Sequence, residues 1–447
     1  MMRWPDKLTI ETTTRCNADC RMCVRRHFKE EMGDMSLDIY RRLVSVFPGL
    51  SFVSLSGYGE PLLNHHIFEM IGLAKAHLPE GGQVGFNSNG MLVDAGIAED
   101  LVRSGLDLIV ISVDGACAET FNEIRKNLDF ELILKNIELI NSTKERLGSA
   151  TPKIGFEMVA MKRNVGELPE LVRLAHDCRV SFVMVSNLLP HSDDMKEEVL
   201  HDFNSDESVA RWEEAKAEAL TEDHEELTLH PGLVPYIYSL FGLPPLRKHL
   251  GFDAPWQRNL PEDQERVLKL LEKTIAGAEE AKVCLNFPRL LERNKDVLQR
   301  HMDLFNEAAT EAKRYDIELS LPPLVPRTQR ECGFIVNGAP FISWDGYVKP
   351  CNNLSHSYPC FINGRPKSIT SVNFGNVLEQ DFMEIWNSPE YLFFRSRVER
   401  FDMPPCGDCS FADGCYLINI PVFEKDCYSN RQPCGDCPWA RGILQCL

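Results

Sequence analysis

Short apolar runs and amphipathic stretches alternate through the first 190 residues. Leu8-Thr9-Ile10, Val53-Ser54-Leu55, Val84-Gly85-Phe86, Leu108-Ile109-Val110-Ile111 and Phe182-Val183-Met184-Val185 are brief and apolar, and Phe156-Glu157-Met158-Val159 alternates more. All six read as strands. Between them lie 36–47, 65–78, 95–104, 130–147 and 167–177, each with apolar residues three and four apart. That spacing is one face of a helix. Strand and helix in alternation predict an α/β fold, a parallel sheet covered by helices, with its sixth strand ending near residue 186.

The rhythm breaks after residue 190. His191-Ser192-Asp193-Asp194, Glu197-Glu198 and Glu213-Glu214 are acidic, as solvated helix faces are. Prolines from Pro231 to Pro261 then run among Tyr236, Tyr238, Phe241, Phe252 and Trp256, and helical patterning returns from 262 to 315. A stretch this long inside a compact protein is too long for bare loop. The expected organisation is therefore 1–190 as the α/β unit, 191–331 as a mostly helical insertion, and 332–447 as a cysteine-rich unit.

A chain of 447 residues exceeds one ordinary domain, and 44% hydrophobic content supports a large core. A formal charge of −18 argues against a nucleic-acid partner, which would select a basic patch. There is no apolar run of membrane-span length, and the opening MMRWPDKLTIETTT lacks an apolar signal region. These features predict a cytoplasmic protein with no membrane partner. Sixteen cysteines in that reducing compartment read as metal ligands rather than disulfides. Several oxygen-sensitive centres would suit an anaerobic setting.

The chemistry begins just after the first strand, where Cys16, Cys20 and Cys23 form a Cys-x3-Cys-x2-Cys loop. Three thiolates are one short of the usual four for a cubane iron–sulfur cluster, so one iron is left open. A zinc site would want a second cysteine pair close by, and none follows. The loop and its position resemble the radical SAM superfamily. That resemblance implies a partial (β/α)6 TIM-like barrel, a 4Fe-4S cluster on the three cysteines and S-adenosylmethionine (SAM) chelated to the open iron. Met22 stands where the family often has an aromatic residue, beside the adenine.

Other strand ends extend the resemblance, and in such barrels the chemistry sits at the C-terminal ends of the strands. Ser56-Gly57-Tyr58-Gly59-Glu60-Pro61 resembles the Gly-Gly-Glu-Pro motif and implies that Gly59, Glu60 and Pro61 meet the SAM amino group, where a carboxylate makes a charge-assisted hydrogen bond. Asn87-Ser88-Asn89-Gly90 resembles the family's Thr-Asn-Gly turn and adds Asn89. Ser112-Val113-Asp114-Gly115 resembles its Ser-x-Asp-Gly segment, adding Ser112 and Asp114 for the ribose or carboxylate. Arg125 matches a family arginine that pairs with the SAM carboxylate through its planar fork. Asn187, at the end of the sixth strand, completes the candidate cofactor site.

A second cysteine field opens at Cys332 and continues through Gly346-x4-Cys351, Cys406-Gly407-Asp408-Cys409 and Cys415 to Cys427, Cys434-Gly435-Asp436-Cys437 and Cys446. With Phe374-Gly375-Asn376-Val377 and Ile385-Trp386-Asn387-Ser388, this order resembles the SPASM domain, which implies one or two auxiliary iron–sulfur clusters. The pattern departs at Asn419, where the family often has cysteine. The expected ligand sets are Cys406, Cys409 and Cys415 with one late cysteine, and Cys332, Cys351 and Cys427 with another. Paired thiolates also suit zinc. Cys117, Cys178 and Cys284 stand alone and read as small buried hydrophobes. The histidines from His191 to His301 show no metal-ligand spacing and receive no role.

The resemblance implies an enzyme that takes an electron from ferredoxin or flavodoxin, cleaves SAM and abstracts hydrogen from a peptide, protein or cofactor substrate. The string Cys434 to Ile443 resembles a maturase subgroup that accompanies tungsten-containing oxidoreductases. The alternative is a non-catalytic iron–sulfur electron carrier or scaffold. Such a carrier has no need of Gly59-Glu60-Pro61 or Ser112-x-Asp114-Gly115.

Overall fold

The computed structural model describes residues 4–219, 273–419 and 423–445. Its strands are β1 (Lys7–Ile10), β2 (Asp19–Cys20), β3 (Phe52–Ser54), β4 (Gln83–Ser88), β5 (Leu108–Ser112), β6 (Arg125–Lys126), β7 (Lys153–Ala160), β8 (Phe182–Asn187), β9 (Glu318–Ser320), β10 (Phe341–Ile342), β11 (Val348–Lys349), β12 (Tyr358–Ile362) and β13 (Arg365–Ile369). Nine of them form one sheet in the order β11-β10-β1-β3-β4-β5-β7-β8-β9. From β10 to β9 every neighbouring pair is parallel. The sheet is an open, partial barrel with helices on its outer face, as the alternation of patterns requires.

Each crossover helix is delimited by its own sequence. Asp94 and Asp129 cap Ala95–Arg103 and Phe130–Leu147 by accepting from the N–H groups of Ile97 and Leu132. The second helix stops at Gly148, whose φ of +64° is the left-handed value that glycine adopts without strain. Ile133, Ile137 and Ile140 on its inner face are buried with Phe86, Phe121 and Phe156. The expected helix over 36–47 is broken in two, into Leu37–Arg41 and a 3-10 turn, Val44–Gly49, that contains Pro48.

The sheet continues beyond the six expected strands. Helix Lys295–Tyr315 packs on helix Leu168–Asp177, with Arg173 paired to Glu311 at 2.9 Å, and leads into β9, which lies parallel to β8. The boundary expected at residue 190 thus falls inside one sheet, because an element from the 191–331 segment completes it. The prolines between Pro231 and Pro261 lie outside the described residues. At the other edge β10, from the cysteine-rich unit, pairs with β1 (Thr9↔Phe341, Ile10↔Ile342). These short strands carry too few residues for a period to show.

The sheet and the cysteine-rich unit also meet through a buried carboxylate–imidazole contact. The Glu11 carboxylate, fully buried after β1, lies 3.0 and 3.1 Å from His356 Nε2 and accepts from the N–H of Tyr58 at 3.3 Å. Phe28 stacks on the imidazole with ring centroids 4.3 Å apart. Glu11→Ala would leave the imidazole and a buried N–H without an acceptor. The expected loss is about 3 kcal/mol or more, measured as a lower midpoint in a denaturant melt of the whole chain.

Candidate active site

The loop that follows β1 places Cys16, Cys20 and Cys23 in the wall of a cavity of about 340 Å³. Much of that wall comes from the strands of the sheet and the segments that follow them: Ser56 and Gly57 after β3, Asn87 and Ser88 on β4, Ser112 on β5, Glu157 on β7, and Ser186 and Asn187 on β8. Parallel strands converge there, so side chains distant in sequence become neighbours.

Gly57 and Gly59 let the next segment lie flush against the cysteine loop. A Cβ on Gly59 would stand 2.3 Å from the Thr13 carbonyl oxygen and 2.6 Å from that of Arg15. Glu60 follows, its N–H donating to the Arg15 carbonyl at 2.8 Å. Its carboxylate accepts from the Asn89 N–H (2.7 Å), Ser88 Oγ (2.8 Å) and the Leu62 N–H (3.2 Å). Burial raises its pKa, and these donors oppose the rise. Asn89 Nδ2 donates to Asn17 at 2.8 Å and lies 3.8 Å from Cys16 Sγ.

Burial pushes Cys20 up to about 11, with the Arg125 charge opposing. Burial also raises Cys16, against a hydrogen bond from the Ala18 N–H and the charge of Arg25. Buried thiols of this kind lose their protons to a metal, so the donor set suits a centre that binds and deprotonates together.

The expected site residues separate into two groups. Met22, Gly59, Glu60, Asn89, Ser112, Arg125 and Asn187 line the cavity with the three cysteines. Asp114 and Pro61 are absent from its lining. Asp114 is fully buried behind Arg125, 2.7 Å from Nε, and Pro61 opens a single 3-10 turn. Asn187 turns its amide to the Pro323 and Ile443 carbonyls, at 3.1 and 3.0 Å, and so ties β8 to the C-terminal tail.

Sequence reading missed several residues that the fold brings in. Glu157 is held by Asn87 Nδ2, and burial raises its pKa. Its position on an alternating strand was the available signal. Tyr58, Asn352, Tyr358, His191 and Trp439 also line the cavity. His191, which received no role, has its pKa pushed down to about 4 by burial and stays neutral.

The late cysteines fall into two sets, and the division departs from the expected one. Cys332, Cys351, Cys434 and Cys437 line one small apolar pocket. Cys406, Cys409 and Cys415 pack together, and Cys427 lies within electrostatic reach of all three, its thiol raised by burial and by Asp426 ahead of the Cys409 and Cys415 neighbours. Cys427 therefore sits with Cys406, not with Cys332 and Cys351. Cys446 lies outside the described residues. Among the described residues, no three His, Cys, Asp or Glu side chains meet at the spacing of a single metal ion.

Residues 10–185 match the radical SAM superfamily, and residues 332–410 match an iron–sulfur cluster-binding domain, SPASM. The chain thus carries a radical SAM domain followed by a SPASM domain. A tungsten-containing aldehyde ferredoxin oxidoreductase cofactor-modifying protein of Pyrococcus furiosus is 26% identical over 446 residues, 98% of this chain and 96% of that one. Mycofactocin maturase of Mycobacterium ulcerans is 29% identical over 175 residues, 38% and 44% of the two chains. Among solved structures, the chain is compared with SuiB of Streptococcus suis bound to S-adenosylmethionine (TM-score 0.47, 15% identity, 93% of this chain and 72% of that one) and anSMEcpe with bound AdoMet (TM-score 0.46, 15% identity, 96% and 94%). No described helix is long and apolar enough to cross a membrane.

The two domains indicate SAM and iron–sulfur clusters as cofactors, and the geometry makes one glycine testable. Gly59→Ala drives a methyl group into two backbone carbonyls, which do not yield as a flexible side chain would. SAM affinity, measured by equilibrium binding to the reconstituted enzyme, is expected to fall at least tenfold, about 1.4 kcal/mol.

Proposed function

We propose that Cys16, Cys20 and Cys23 hold the SAM-binding 4Fe-4S cluster and that the enzyme matures a tungsten-containing oxidoreductase or its cofactor. The observation that carries the first half is convergence: three thiols, Glu60, Asn89, Ser112 and Arg125 line one cavity at the C-terminal ends of the strands. The near full-length similarity to the Pyrococcus furiosus cofactor-modifying protein supports the second half.

When bound, the cluster supplies the electron that splits SAM into methionine and a 5′-deoxyadenosyl radical. The chain's part is placement and exclusion of water. Gly57 and Gly59 admit a ligand close to the backbone. Glu60 fixes the turn after β4 and offers negative charge toward an ammonium. Ser112, Asn87 and Glu157 present hydroxyl, amide and carboxyl groups suited to a ribose. Tyr58, Tyr358 and Trp439 line the cavity with aromatic rings.

The same reading assigns Cys332, Cys351, Cys434 and Cys437 to one auxiliary cluster, and Cys406, Cys409, Cys415 and Cys427 to another. Asn352 and Tyr358 line the cavity, and Tyr358 lies within electrostatic reach of Cys351 and Cys437 of the first set, which supports placing that cluster nearer the cavity. An auxiliary cluster there suits the return of an electron from a substrate radical. Ferredoxin or flavodoxin is the proposed electron donor.

Anaerobic reconstitution, followed by SAM cleavage under dithionite, tests the assignment. 5′-Deoxyadenosine is expected from the wild type and not from the Cys16→Ala/Cys20→Ala/Cys23→Ala variant. With three cubanes bound, that variant should retain about two thirds of the iron. An electron carrier would show the iron but no cleavage. To test the substrate, a tungsten oxidoreductase produced without this enzyme should gain activity when both are present. No gain would sink the maturase role and leave the chemistry standing.

A further inference from the structure

Arg125 does not stand where a simple carboxylate clamp would leave it. It lies on β6, and its register partner across the two-residue ladder is Cys20 on β2. Nη1 is 3.8 Å from the Cys20 sulfur, within the reach of an N–H···S bond. Nε is 2.7 Å from Asp114 Oδ2. Asp114 is itself immobilised: Oδ1 accepts from the Val159 N–H at 2.7 Å, and Asn164 Nδ2 bonds its main-chain oxygen at 3.0 Å. A planar guanidinium fixed on two sides has little freedom to turn.

Taking the cluster on Cys16, Cys20 and Cys23 as given, we infer that Arg125 is a positioning residue for the cluster itself. Its guanidinium, compensated by Asp114, donates to the Cys20 sulfur and sets how readily a cluster held there accepts an electron. Reduction adds one negative charge to an already anionic centre in a site of low dielectric. A cation and an N–H···S bond at the ligand both favour the reduced state, and both are recognised controls on iron–sulfur potentials. The charge pattern sharpens the effect. Glu60 and Glu157 face the same cavity with carboxyl groups, and Arg25 approaches Cys16 on the far side of the loop. Asp114 then acts as a brake, since its charge offsets part of that of Arg125.

This differs from the family expectation that the arginine serves the SAM carboxylate, and the two roles have different readouts. EPR-monitored redox titration without SAM measures the N-terminal cluster, identified as the signal lost in the variant lacking Cys16, Cys20 and Cys23. Arg125→Gln is expected to cut its reduced-to-oxidised ratio at a fixed potential at least tenfold, about 59 mV for one electron. Arg125→Lys keeps the charge and should restore part of the shift. Asp114→Asn removes the brake and should move the midpoint the opposite way, so the test survives if Arg125→Gln fails to assemble. An unchanged midpoint in Arg125→Gln, with SAM affinity alone weakened, overturns the inference in favour of the carboxylate role. A lower midpoint in Asp114→Asn, or an equal shift in the auxiliary signals, overturns it as well. If the wild type shows no signal that depends on the three cysteines, the cluster assignment fails first, and that result is distinct.

Discussion

A loop that carries three cysteine thiols has only the two-residue β2–β6 ladder to hold it, so most of its shape must be imposed from outside. Here the imposition is electrostatic and buried. Glu11 braces the start of the loop against His356, and Arg125 braces Cys20 with Asp114 behind it. Glu60 holds the neighbouring turns in register. Each carboxylate would be costly to bury alone, and each is matched by a cation or by backbone N–H groups. Removing one partner leaves its opposite number stranded, which makes the site a single cooperative unit rather than a collection of ligands.

The same logic joins the two ends of the chain. β10 extends the sheet beside β1, His356 meets Glu11, and Asn187 reaches the Ile443 carbonyl. The SAM cavity is therefore walled partly by the barrel and partly by the cysteine-rich unit. Two buried Asp–Arg pairs tie the latter together: Asp408 to Arg441 at 3.1 Å and Asp436 to Arg365 at 3.0 Å. Each aspartate sits inside a Cys-Gly-Asp-Cys turn, and each arginine belongs to a different segment, so the late cysteine loops are held relative to one another.

Much of this was legible in the chain, for definite reasons. The six strands and four of the five expected crossover helices were legible from apolar runs and helical spacing, while the stretch 36–47 is broken into Leu37–Arg41 and a 3-10 turn with Pro48. The three early cysteines were legible because ligands three and four apart need no folding to be neighbours. What escaped were short or remote elements: the two-residue β2–β6 ladder, β9 supplied from beyond residue 190, and β10 from beyond residue 340. Nothing in the local pattern of a two- or three-residue strand says which edge it will join.

By itself, the sequence determined the alternating α/β plan, the clustering of the Cys16, Cys20 and Cys23 thiols, and the glycines that bring the Glu60 segment close, since these rest on spacing and on what each residue type can do. Only the tertiary structure decided which late cysteines stand together, that Asp114 serves Arg125 rather than the cavity, and that Glu157 and Trp439 share its wall. Those outcomes depend on which buried charges find partners across long stretches of chain. That pairing is settled by three-dimensional packing and leaves no periodic trace along the backbone.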